Sequence, residues 1–90
     1  MAFEKKVEIS INNISLVFNV NLSAYNKYIT GSMKPTANGL QLATNFLTSV
    51  VDDKCKSELM EFTKQPGAAL HILGTVIEEY QPDYDITVKK

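Results

Sequence analysis

With 90 residues, 44% hydrophobic and 21% charged, the chain has the balance of a folded globule rather than a disordered one, and its length suits one small domain over residues 1–90. A formal net charge of −1, with lysines clustered no further than the pairs Lys5-Lys6 and Lys89-Lys90, argues against a dedicated nucleic-acid binder. A single cysteine rules out an intrachain disulfide, and neither a signal-type apolar core nor a run of membrane-spanning length is present, so no membrane role and a reduced cytoplasmic compartment are expected.

Val7, Ile9 and Ile11 alternate with Lys6, Glu8 and Ser10; Ile14, Leu16, Phe18 and Val20 alternate with Ser15, Val17, Asn19 and Asn21. Period two predicts two strands, each with one buried face. Asn12-Asn13 between them suits a two-residue type I′ turn, because asparagine tolerates positive φ. A hairpin alone is marginal in water, so helices must cover its apolar face. Val17 is the large apolar residue on the outward face and is expected to be exposed.

Ser23 is placed to N-cap a helix of about two turns with Tyr25, Tyr28 and Ile29 on one face and Gly31 as its C′ residue. Residues 31–39 lose periodicity and read as a loop. A second helix is predicted from Asn38, with Gln41 completing a capping box and an apolar stripe of Leu40, Ala43, Phe46, Leu47, Val50 and Val51. Asp52-Asp53 suit the start of a third helix, where carboxylates meet the positive end of the dipole, and Cys55, Leu59 and Phe62 share its face.

The fourth helix is the candidate centre of the fold. Pro66 fits its first position, Pro82 stops it beyond Tyr80, and Ala69, Ile72, Leu73, Val76, Ile77 and Tyr80 share one face. Burying Ile72, Leu73, Val76 and Ile77 would contribute about 1.5–3 kcal/mol each before chain entropy. In the last segment Tyr84, Ile86 and Val88 alternate with polar residues, which predicts a short C-terminal strand added to the hairpin. The expected class is therefore α+β: a three-stranded, mostly antiparallel sheet covered on one face by about four helices.

Little chemistry accompanies this frame. His71 and Cys55 are the single histidine and cysteine; they cannot assemble a zinc site, and no third group stands out to orient them as a nucleophile pair. Cys55 reads instead as a core thiol. Asp52-Asp53 read as a helix start, and Glu78-Glu79 and Asp83/Asp85 as a solvated face. Acids at a helix C-terminus cost about 0.3–1 kcal/mol each, so Glu78 and Glu79 are expected to pair with Lys89 or Lys90. Gly67 and Gly74, seven apart, are expected to let the fourth helix pack closely on the sheet. Residues 31–34 lack a phosphate-loop pattern. No catalytic residue, metal or cofactor is expected, and the protein is read as not an enzyme.

The order of a β-hairpin, a Pro-Gly-Ala-Ala helix, Glu-Glu-Tyr-Gln-Pro-Asp and a closing Ile-Thr-Val-Lys-Lys resembles the small tail assembly chaperones of tailed bacteriophages and prophages. The residues that carry it are Val7, Ile9, Ile11, Ile14 to Val20, Asn45-Phe46-Leu47, Pro66 to Ala69, Glu78-Glu79-Tyr80, Pro82 and Ile86 to Lys90. The resemblance implies a non-enzymatic protein of the bacterial host cytoplasm. Such a protein binds the tape-measure protein, helps tail-tube subunits assemble around it, and is generally absent from the finished virion. It brings no catalytic motif and no partner-binding residue. A chaperone needs accessible apolar, Met or aromatic surface for helical segments. Tyr25, Tyr28, Met33, Met60 and Tyr84 lie at or beyond the edges of the predicted core stripes and are the candidate partner-binding residues; each could equally complete the core. The alternative is a small structural tail or connector subunit, for which a symmetric oligomer is expected.

Overall fold

Asn12 and Asn13 both take positive φ, 51° and 68°, and close a two-residue turn between strand β1 (Glu4–Ile11) and strand β2 (Ile14–Asn21). These positions belong to a computed structural model that describes residues 4–89. The antiparallel register pairs Val7 with Phe18 and Ile9 with Leu16, which puts the apolar positions of both strands on one face. Val7, Leu16, Phe18 and Val20 are buried there, while Val17 on the other face is half-buried.

Helix α1 (Leu22–Ser32) follows with no intervening loop. Its cap is Asn21, whose side-chain oxygen accepts from the Ala24 N–H at 2.8 Å, so Ser23 lies inside the first turn rather than at the cap. Asn21 is the last residue with the extended geometry of β2, and the helix starts as soon as that geometry ends. α1 also runs through Gly31 to Ser32. A Cβ on Gly31 would stand 2.8 Å from Leu42 Cδ2, so the bare glycine admits Leu42 against α1.

Helix α2 (Gly39–Val50) is capped by Asn38, which accepts from the Gln41 N–H at 3.0 Å. The reciprocal half of a capping box is absent, because the Gln41 side chain donates one turn onward to Asn45. Ala43, Phe46, Leu47 and Val50 are buried on the sheet, and Leu40 in the first turn stays exposed. The chain then runs back along β2: Val51 bridges Phe18, and the Asp52 N–H donates to the Val17 carbonyl at 2.8 Å. Asp52 caps a 3₁₀ turn (Asp53–Cys55) by accepting from the Lys54 N–H, and helix α3 (Lys56–Thr63) buries Leu59 and Phe62.

Helix α4 (Ala68–Tyr80) buries Ala69, Ile72, Leu73, Val76 and Tyr80 against α2 and β1, with Ile77 only partly covered. It starts two residues after Pro66. Gly67 stands between them at φ +78°, a left-handed conformation that suits glycine, so Pro66 belongs to the preceding turn. The expected close packing of the α4 glycines is absent: a Cβ on Gly74 would meet nothing within 4 Å.

Among the described residues the sheet is two-stranded, and the predicted C-terminal strand is not formed. Residues 82–89 carry the alternating pattern but have no strand partner, and Tyr84, Ile86 and Val88 are exposed. The β2 edge is already occupied by Val51 and Asp52, and the segment passes Lys5 at Asp83 and meets Leu22 and Tyr25 at Tyr84 without a backbone bond to β1.

Candidate partner-binding surface

The five candidate residues fall in four places. Tyr25, on α1, is half-buried; its ring lies 5.4 Å from that of Tyr80 at 41°, and its hydroxyl accepts from Gln81 Nε2 at 2.7 Å. Tyr84 is 72% exposed and lines the same hollow, a space of about 360 Å³ bounded also by Leu22, Tyr80, Gln81 and Pro82. Tyr28 faces the other way, with its ring 5.7 Å from that of Phe46, and lines a smaller hollow between α1 and α2 with Leu42 and Lys27. Met33 follows the end of α1 and is 79% exposed; Met60 is exposed on α3. Thus Tyr25 and Tyr84 are brought together, and the other three are not part of their hollow.

The sequence produces this hollow locally. Tyr80 is the last helical residue of α4 and is buried, so Gln81 and Pro82 turn the chain next to the first turn of α1. Burial raises the Tyr80 hydroxyl above its ordinary pKa. Leu22 was missed as a lining residue, yet a signal existed. It continues the β2 spacing Leu16, Phe18, Val20 by two residues, just where the strand gives way to α1.

Among the described residues, no three His, Cys, Asp or Glu side chains converge as metal ligands. Cys55 is half-buried with its thiol 3.8 Å from the Ser15 carbonyl, and His71 is exposed on α4. Glu78 and Glu79 do not pair with Lys89; Lys90 lies outside the described residues. Instead Lys5 Nζ donates to the Glu79 carbonyl, which brings positive charge to the C-terminal end of α4. No helix of the described residues is long and apolar enough to cross a membrane.

A family model described as phage tail assembly chaperone matches residues 7–90, nearly the whole chain. No curated protein and no solved structure matches it.

Proposed function

The chain belongs to the phage tail assembly chaperone family, and on that premise we propose that it binds the tape-measure protein in the host cytoplasm and assists tail assembly without catalysis. The observation that supports this reading is the hollow of Leu22, Tyr25, Tyr80, Pro82 and Tyr84: an accessible, largely aromatic surface beside a charged one, suited to the apolar face of a helical segment. Tyrosines supply wide contact area while keeping a polar tip in water, so such a surface holds a partner without being insoluble when empty. Lys5, Glu78, Glu79 and Asp83 border it across Gln81 and Pro82, giving the polar rim that a reversible contact needs.

The test is co-expression with the tape-measure protein of the same phage, read by solubility and pull-down. The reading predicts that the partner becomes soluble and the two elute together, and that Leu22→Ser with Tyr84→Ser weakens the complex at least tenfold. A partner that stays insoluble, with no complex, overturns the tape-measure assignment. Unchanged binding by the double variant removes the hollow as the contact surface. Stoichiometric presence of the protein in purified particles would favour the structural-subunit alternative.

A further inference from the structure

The hairpin has one covered edge and one bare edge. On β2, the Val17 carbonyl accepts from the Asp52 N–H, the Ser15 carbonyl from the Cys55 thiol, and Val51 bridges Phe18. On β1, the register with a two-residue turn places Lys5, Val7, Ile9 and Ile11 in the pairs that bond to β2. Lys6, Glu8 and Ser10 therefore aim their backbone N–H and C=O groups away from the hairpin. Among the described residues, no backbone group outside the hairpin bonds to them. An open strand edge of this kind is a template for another strand.

The segment after α4 has the complementary deficit. Tyr84, Ile86 and Val88 are 72%, 81% and 84% exposed, and they alternate with Asp85 and Thr87 as a half-buried strand would. The segment projects from the body. The radius of gyration is 14.2 Å, against about 12 Å expected for a chain this long, and the longest dimension is 50 Å. Its first residue, Tyr84, lies with Leu22 and Tyr25, just beyond Asp83 beside Lys5, and among the described residues no backbone bond joins the segment to its own β1 edge.

We infer that Tyr84–Val88 of one copy pairs as a third strand on the β1 edge of a second copy. A parallel register with Ile86 beside Val7 and Val88 beside Ile9 puts the apolar side chains on the core face. The same register sets Asp85 beside Lys6 on the other face, so the charges that guard the edge against indiscriminate pairing match this segment. Exchange of the two segments is reciprocal and closes as a two-fold dimer. The proposal shares Tyr84 with the tape-measure reading, but its test reads the mass of this chain alone, so either can fail without the other.

Sedimentation of the purified protein tests it. The whole chain is expected at twice its 10.0 kDa mass, and both a chain ending at Asp83 and a Glu8→Pro variant at the mass of one copy with unchanged helical circular dichroism. Proline at Glu8 removes an outward N–H and leaves the β2 bonds intact. Should that variant fail to fold, the shortened chain decides alone, because none of the described residues it lacks belongs to the core. A whole chain that remains single up to hundreds of micromolar, or a shortened chain that remains paired, overturns the proposal. Isotope-filtered NMR on a mixture of labelled and unlabelled copies is expected to show Ile86–Val7 contacts between copies; such contacts within one copy only would overturn it as well.

Discussion

Tyr25 and Tyr80 meet ring to ring at 5.4 Å and 41°, and this contact joins the first turns of α1 to the last turn of α4 across 55 residues of sequence. Tyr80 is the buried member and Tyr25 the half-exposed one, so the pair is at once the margin of the core and the floor of the candidate surface. Replacing Tyr80 by Ala should cost about 3 kcal/mol, the range for a large aromatic removed from a core. Tyr25→Phe keeps the ring contact and loses only the Gln81 bond, so its cost should stay within about 1 kcal/mol. Urea unfolding of the two variants checks both values.

The start of α1 separates two residues that look equally able to cap it. Asn21→Ala should destabilise by about 1 kcal/mol because its side chain holds the Ala24 N–H. Ser23→Ala, inside the exposed first turn, should stay within about 0.5 kcal/mol. Equal losses at the two positions would mean that the helix starts at Ser23.

The α4 glycines should respond with opposite signs. Gly74→Ala fills open space on an exposed helix face and should stabilise by about 0.5–1 kcal/mol. Gly67→Ala must hold φ +78° and should destabilise by about 1 kcal/mol or more. Thermal melts of the two variants are enough to read the signs.

Asp52 supplies an acid-sensitive contact. The Lys54 N–H bonded to its carboxylate holds its pKa below the ordinary value. A carboxylate depressed in the folded state stabilises the fold above its unfolded pKa, about 3.9, and loses that contribution as pH falls through the lower folded value. Asp52→Asn keeps an oxygen to accept the cap bond but cannot titrate. Its urea midpoint should therefore fall less than that of the unaltered chain between pH 5 and pH 2.

The hairpin and the buried face of α4 were legible because their causes are local. Period-two alternation, an Asn-Asn pair and apolar residues at helical steps act over a few residues. The exact start of α1 was not, since both Asn21 and Ser23 cap well and only the length of β2 chooses between them. The segment at 83–89 shows the other limit. Its alternation predicts a strand that the structure does not form, because pairing needs an edge, and which edge is open depends on Val51 and Asp52 reaching β2 from far along the chain. Within the hollow, Tyr25 and Tyr84 were visible as residues beyond the core stripes. Their meeting was not, because it follows from where the turn at Gln81 and Pro82 leaves α4.

The covered rim of β2 and the bare rim of β1 should differ in how quickly their amide protons leave for solvent. The Asp52 amide belongs to no helix or strand, yet it is fixed on the Val17 carbonyl between the sheet and α2. In the chain ending at Asp83, whose β1 edge stays unpaired, its deuterium uptake should wait for opening of the whole core, hours after the amides of Lys6, Glu8 and Ser10 have exchanged. The hairpin thus carries a slow clock on one side and a fast one on the other, and slowing of the fast clock marks the arrival of a strand.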